Sequence, residues 1–144
     1  MNRILTAASA ICVFSFATLS GWSAKAQTIN ISTSNIALRS GETMEFGNFY
    51  WVNSVCKSVL KGSTKVEIMD GPPGVEVAIK DAMVVPRWFN CGKPVTGSKL
   101  YISAKDVDDQ SNTPMTLRFT FKTADGERQR SHVINVALFP KEHN

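Results

Sequence analysis

Apolar and polar residues alternate along four segments of the chain, and this alternation is its strongest pattern. Successive side chains of a β-strand point to opposite faces, so each segment predicts a strand with one apolar and one wetter face. The four segments are residues 75–80, 100–105, 115–122 and 133–138. Weaker strands are expected at residues 28–32, 43–52, 64–69 and 83–85. No window has a clear helical stripe, and residues 53–61 are the best place for a single helical turn.

Turn-forming residues separate these segments. The run Asp70-Gly71-Pro72-Pro73-Gly74 ends one strand, because two prolines fix φ and remove two backbone donors. Residues 124–126 read Ala-Asp-Gly, which is typical of a hairpin. Seven or eight short strands with such turns predict an all-β fold, a single antiparallel β-sandwich, with a barrel as the alternative.

The first 26 residues differ in composition from the rest of the chain. Arg3 precedes an uncharged stretch at residues 4–19, and the sequence Ala24-Lys25-Ala26 follows that stretch. A basic start, an apolar segment and a small-x-small site predict a secretory signal peptide that is cleaved after Ala26. A transmembrane anchor is the alternative, but a span needs about 20 apolar residues. Residues 27–144 would then form one domain without a membrane span, located in the periplasm or secreted.

Cleavage changes the cysteine count and the charge. It removes Cys12 and leaves Cys56 and Cys91, an even number that predicts one disulfide in an exported chain. The remaining 118 residues carry 14 basic and 12 acidic side chains, for a net charge of +2. Basic residues are not clustered on one predicted element, so nucleic-acid binding is not expected.

The closing segment "MTLRFTFKTADGERQRSHVINVALF" resembles the end of bacterial immunoglobulin-like and cadherin-like modules, in which two alternating strands joined by an Asp-Gly turn complete the sandwich. The whole chain also resembles short secreted envelope proteins of Gram-negative bacteria with one immunoglobulin-like domain. This resemblance implies a fold and a compartment but no activity. The cysteines depart from the antibody pattern, because Phe89 stands where a tyrosine precedes the second cysteine. A Cys56–Cys91 bridge would therefore not be the standard one.

The sequence offers little chemistry for catalysis. Two histidines follow the predicted signal peptide, His132 and His143, and no serine lies in a G-x-S-x-G motif. We interpret His132 as a surface residue at a strand end and expect no catalytic residue. No ligands have the spacing of a metal site, and no cofactor is expected.

An acidic loop is a weak calcium candidate through Asp106, Asp108 and Asn112. Ser111 and Leu117 replace the glycine and the glutamate of an EF-hand loop, so the match is partial. A solvated acidic loop is the other interpretation.

Aromatic residues concentrate near both predicted disulfide partners. Alternation places Phe49 and Trp51 on one face of their strand and Tyr50 on the other. Two interpretations are open: these side chains pack against the disulfide, or they form an exposed binding patch. Interfaces favour tryptophan, tyrosine and arginine. The candidate patch comprises Tyr50, Trp51, Arg87, Trp88 and Phe89.

These observations favour an exported, non-enzymatic immunoglobulin-like domain with a binding or structural role in the envelope. Its partner would be a protein, a peptide or a glycan, and its oligomeric state stays open because edge strands can pair. The arginines of "GERQR" at residues 126–130 are expected at a hairpin tip, for solubility or for contact with an acidic partner. One alternative is a secreted inhibitor that presents the loop around Arg87 to a hydrolase, although the Asn-Pro-Thr-Thr-Gly signature of immunoglobulin-like cysteine-protease inhibitors is absent. The other alternative function is a calcium-dependent adhesion-type module.

Overall fold

The computed structural model describes residues 27–31, 35–87 and 90–142, with the backbone alone for the first of these ranges. The predicted signal peptide, Trp88, Phe89 and His143 lie outside the described residues. The strands are β1 (Gln27–Ile31), β2 (Asn35–Arg39), β3 (Thr43–Val52), β4 (Lys65–Asp70), β5 (Val75–Val84), β6 (Val95–Ala104), β7 (Ser111–Thr123) and β8 (Gly126–Phe139). The described part of the chain contains no helix, so the helical turn expected at residues 53–61 is wrong.

The eight strands form two four-stranded sheets that pack face to face. The first sheet has the order β1-β3-β6-β5 and the second the order β2-β8-β7-β4. This arrangement is that of the immunoglobulin fold, in which strands A, B, E and D form one sheet and C, F and G the other. The predicted all-β sandwich is therefore confirmed.

The first sheet begins with β1 and the second with β2, although only three residues separate these strands. β1 pairs antiparallel with β3, whereas β2 pairs parallel with β8. The expectation of a wholly antiparallel sandwich is wrong for this pair, because β2 lies against a strand that runs in its own direction. β2 was also not among the expected strands, since its alternation covers only five residues.

Alternating side chains from both sheets fill the core. β7 buries every second residue from Met115 to Phe121, as its sequence pattern predicts. Phe49 of β3 packs across the sandwich on two of these side chains, with ring centroids 5.5 Å from Phe119 and 5.1 Å from Phe121. The other fully or nearly fully buried core residues on β6 and β8 are Leu100, Ile102, Ala104, Ile134, Val136 and Leu138.

A β-bulge at Phe46 changes the phase of β3. The pairing register with β6 shifts between residues 45 and 47, so one extra residue is accommodated there. Phe46 and Phe49 both join the core cluster although they are three positions apart, which in a regular strand would place them on opposite faces. Beyond the bulge, Phe49 and Trp51 face the core and Tyr50 faces outward, as predicted.

Gly97 of β6 is tightly enclosed between β3 and β5. A Cβ atom at this position would lie 2.5 Å from the carbonyl oxygen of Phe49 and 2.6 Å from Cγ2 of Val84. Because the first of these is a backbone atom of a central strand, it cannot move without disturbing the sheet. A glycine is therefore required where these three strands pack together.

A tight hairpin fixes the register of β7 and β8. Thr123 pairs with Gly126, which leaves a two-residue loop, and the Thr123 hydroxyl accepts a hydrogen bond from the Asp125 N–H at 3.3 Å. Gly126 has φ +112°, which a glycine adopts without a steric penalty. Pairing then continues to the far end of both strands. His132 consequently lies inside β8, and its interpretation as a strand-end residue is wrong.

Candidate functional site

The disulfide between Cys56 and Cys91 joins two loops at one end of the sandwich, with 5.6 Å between the two Cα atoms. The predicted pairing is confirmed. Cys56 follows β3, and Cys91 lies in the connection between β5 and β6. All three strands belong to the first sheet, so the bridge does not join the two sheets as the antibody disulfide does.

Asn53 shapes the turn that presents Cys56. Its side-chain oxygen accepts hydrogen bonds from the N–H groups of Val55 at 3.1 Å and Lys57 at 2.9 Å. The Cys56 N–H donates to the Asn53 carbonyl at 3.0 Å. Cys56 itself has φ +59°, in the left-handed region of backbone conformation that residues other than glycine and asparagine seldom adopt. The turn and the disulfide together hold this conformation.

A small apolar cluster lies on the outer face of the first sheet, between the strands whose loops the disulfide joins. It consists of Tyr50, Val52, Val84 and Val95, with Ala82 packed against it. The loop after β5 covers this cluster, since Pro86 is buried and the Arg87 N–H donates to the Tyr50 hydroxyl at 3.3 Å. The disulfide therefore anchors a loop that closes a second, smaller core.

The predicted aromatic patch is wrong for two of its five members. Tyr50 is 0% exposed in the outer cluster, and Trp51 is 5% exposed on the inner face. Neither side chain is available to a partner, because the covering loop shields one and the core aromatics shield the other. Arg87 is exposed, while Trp88 and Phe89 lie outside the described residues. The exposed-patch interpretation of Tyr50 and Trp51 is replaced by burial, of Tyr50 in the outer cluster and of Trp51 in the core.

A basic row lies on the inner face of β8, next to Trp51. The row consists of Arg128, Arg130 and His132, which pair in register with Phe121, Phe119 and Leu117 of β7. The row therefore projects to the same side as the core aromatics. Sequence reasoning placed the two arginines at a hairpin tip and missed this face. The length of β7 could have revealed it, because a two-residue loop requires an equally long partner strand.

Arg130 stacks on the indole ring that closes this end of the core. Its guanidinium carbon lies 5.6 Å from the Trp51 ring centroid, and that ring lies 4.8 Å from the Phe121 ring. A cation over an aromatic face is attracted by the electron density of the ring. Arg128 forms an exposed ion pair with Asp125 at 3.2 Å. Among residues 35–87 and 90–142, no ion pair includes Arg130.

Among the described strands, the upstream half of β8 has a neighbour on one side alone, and we call its other side the open edge. β2 pairs with β8 only between Asn135 and Phe139. From Gly126 to Ile134, β7 lies on one side, and no described strand lies on the other. An edge strand presents unpaired N–H and C=O groups that another extended chain can pair with. The basic row and the open edge are thus two features of one nine-residue segment.

A second basic feature is a groove of about 230 Å³ on the outer face of the second sheet, near the hairpin. Lys61, Lys65 and Lys122 line it together with Glu127. The lysines are exposed surface groups.

The structure brings together no catalytic arrangement around His132. The side chain is half-buried, and burial lowers its pKa below the usual value of 6.5, so the neutral form is favoured. No hydrogen bond joins it to a carboxylate or a hydroxyl in the described part of the chain. An isolated neutral imidazole lacks the oriented partners that catalytic histidines use.

The calcium candidate has two residues in a loop and one in a strand. Asp106 and Asp108 lie between β6 and β7, whereas Asn112 lies within β7 and pairs with Ala137. Between them Val107 is buried, and its N–H donates to the Ser40 hydroxyl at 3.1 Å. No group of three histidine, cysteine, aspartate or glutamate side chains could hold a metal ion within the ranges that the structure covers. The calcium hypothesis stays a prediction.

A comparison with protein-family models and a comparison with curated proteins each found no match to this chain. Within the described residues, no helix is long and apolar enough to cross a membrane.

Proposed function

We propose that the protein is an exported, non-enzymatic immunoglobulin-like domain that binds a partner in the periplasm or outside the cell. The partner is a protein, a peptide or a glycan. The observation that carries this proposal is the open edge of β8, because a strand edge that no described strand pairs with, and that bears exposed arginines, is a ready contact surface.

Two features support export. The amino-terminal pattern of a basic residue, an apolar stretch and Ala24-Lys25-Ala26 is that of a signal peptide. The Cys56–Cys91 disulfide closes a loop over a separation of 35 residues, and such bonds persist in oxidising compartments. Removal of residues 1–26 leaves these two cysteines paired with each other, with no third thiol to compete.

The site favours binding over catalysis because its charged groups lie on exposed surface. Arg128 is open to solvent in a surface ion pair, and Arg130 is exposed while it rests on the rim of the core. Arginine combines charge with a planar group that stacks and forms several hydrogen bonds, which suits recognition of carboxylates.

The two alternative functions remain predictions that no structural observation favours. A hydrolase inhibitor would use the loop around Arg87, but that loop packs onto its own sheet through Pro86 and the Tyr50 hydroxyl. A calcium-dependent adhesion module would use Asp106 and Asp108, and no group of three histidine, cysteine, aspartate or glutamate side chains in the described part of the chain is arranged to hold a metal ion.

Mass analysis of the exported protein and site-specific crosslinking in its native host test the proposal. We expect a mature chain that begins at Gln27 and is two hydrogens lighter than its reduced form. A photo-crosslinking residue is introduced separately at Gln129 on β8, at Arg87 on the covering loop and at Lys80 on the outer face of β5. A discrete product at Gln129 or Arg87, absent at Lys80, supports a specific partner. An uncleaved chain, or the same products at all three positions or at none, would overturn the proposal.

A further inference from the structure

We propose that residues Gly126–Val133, within the upstream half of β8, accept an extended acidic segment of a partner protein by β-strand addition. The segment would lie on the edge that β2 occupies farther along the same strand. This inference rests on the proposed binding function and names its site and the chemistry of its partner.

The backbone of β8 provides the first part of the argument. β8 has fourteen residues, and β2 pairs with five of them. The other nine residues have a described strand on one side only. Alternate N–H and C=O groups along this stretch point away from β7. An added strand would pair with them as β2 pairs with Asn135 to Phe139, which extends an existing sheet rather than creating a new one.

The side chains define what kind of strand fits. On the inner face the segment presents Arg128, Arg130 and His132, and no acidic residue of β8 lies in that row. On the outer face Val133 is 56% exposed. A partner strand with carboxylates at alternate positions would place them beside the arginines, and an apolar residue opposite Val133 would cover it. The Arg128 guanidinium already forms an ion pair with Asp125. Arg130 is therefore the principal contact for a carboxylate of the partner strand.

Two edge strands of the sandwich, β4 and β5, carry charges of both signs. β4 has Lys65, Glu67 and Asp70, and β5 has Glu76, Lys80 and Asp81. Mixed charges protect an edge from pairing and select no partner charge. The inner row of β8 has one sign only.

Pairing between two copies through this segment would bring the arginines of both copies close together. Like charges on neighbouring strands are destabilising. The row therefore favours an acidic partner over a second copy of the chain.

The test uses the full mature protein and a fluorescent eight-residue peptide that alternates glutamate with valine and threonine. A second peptide has lysine in place of each glutamate. A third keeps the glutamates but is N-methylated at alternate residues on its pairing edge, so that its charge is unchanged while its donors are lost. Fluorescence anisotropy at low salt measures the three dissociation constants. We expect binding of the first peptide, with little binding of the other two.

Protein variants connect the binding to the site. Arg128→Glu with Arg130→Glu should weaken binding of the first peptide by at least about tenfold. The matched control, Lys80→Glu with Lys141→Glu, makes the same change in net charge on other surfaces and should leave binding within about twofold. If the glutamate variant does not fold, Arg128→Gln with Arg130→Gln gives the same comparison with less repulsion. Circular dichroism establishes that each variant is folded.

Amide hydrogen exchange locates the bound strand. We expect residues 126–133 to gain protection with the first peptide, while the loop at residues 85–87 is unchanged. Equal affinity for the N-methylated peptide would overturn strand addition in favour of simple charge attraction. A dimeric mass with protected residues 126–133 in the free protein would assign the edge to a second copy. If no peptide binds, the inference fails, whereas crosslinks at Arg87 would still support the proposed function.

Discussion

Removing the disulfide tests how the covering loop and the fold depend on each other. The change is Cys56→Ser with Cys91→Ser, which deletes the covalent link and keeps side chains of similar size. Cys91 is 4% exposed. The link ties the turn after β3 to the loop that shields Tyr50, so its loss should destabilise both the loop and the whole domain.

The size of the effect follows from the length of the closed loop. The two cysteines are separated by 35 residues. In the chain-entropy model, opening a loop of that length raises the conformational entropy of the unfolded chain. The resulting loss of stability is about 3.8 kcal/mol at 25 °C. For a domain of this size such a loss corresponds to a fall in melting temperature of roughly 15 °C. With a urea dependence of about 2 kcal/mol per molar, the midpoint should fall by about 2 M.

Urea unfolding followed by circular dichroism measures the loss. Two comparisons make the result specific. The wild-type protein in excess dithiothreitol should match the double-serine variant, and the variant itself should not respond to dithiothreitol. Amide exchange reports the loop separately, through the Arg87 N–H that donates to the Tyr50 hydroxyl.

Two results would refute the reasoning in different ways. A loss below about 1 kcal/mol would contradict the loop-entropy argument, because it would mean that the unfolded chain is already constrained without the bond. If stability falls by the full expected amount but the Arg87 N–H stays protected from exchange, the loop holds its position without the disulfide. The outer cluster would then be stabilised by its own packing.

Three further predictions concern other parts of the fold. Gly97→Ala should destabilise the protein by about 2 kcal/mol through overpacking, whereas Gly92→Ala, which meets nothing within 4 Å, should have little effect in the same urea assay; equal losses would contradict the close-approach argument. Since burial lowers the pKa of His132, stability should be full above the unfolded value of about 6.5 and should decrease as the pH falls through the lowered folded pKa. His132→Gln should remove this part of the pH dependence of stability, and an unchanged pH profile in the variant would contradict the assignment to His132. If Asp106 and Asp108 bind calcium, millimolar calcium should raise the melting temperature relative to chelator, and Asp106→Asn should abolish the rise; no shift in the wild type ends the calcium hypothesis.

The elements that sequence patterns predict best are those whose two faces meet different surroundings. β7 alternates cleanly because one face meets the core and the other meets water, and its buried residues are those expected. The faces of Phe49, Trp51 and Tyr50 were also predictable, since they depend only on strand geometry. Cysteine pairing followed from the count that remains after cleavage.

The features that could not be predicted depend on contacts between distant segments. Tyr50 points outward, as its position in β3 requires, and is nevertheless fully buried because the loop after β5 folds over it. No local pattern around Tyr50 carries that information. Similarly, the bulge at Phe46 shifts the register of β3, and β2 is assigned to a sheet by its parallel contact with β8.

The division of the first strand pair between the sheets explains why the candidate site exists. Among the described residues, β1 adds to β3 in the first sheet, and the five residues of β2 cover β8 in the second. The distribution of charged residues along β8 matches the boundary between its covered and uncovered parts. The covered part of β8 alternates apolar residues with asparagine and alanine, while the uncovered part, at residues 126–132, carries the arginines and His132. Arginines on an open edge disfavour pairing with a like edge and favour an acidic strand, so one feature can prevent self-association and select a partner.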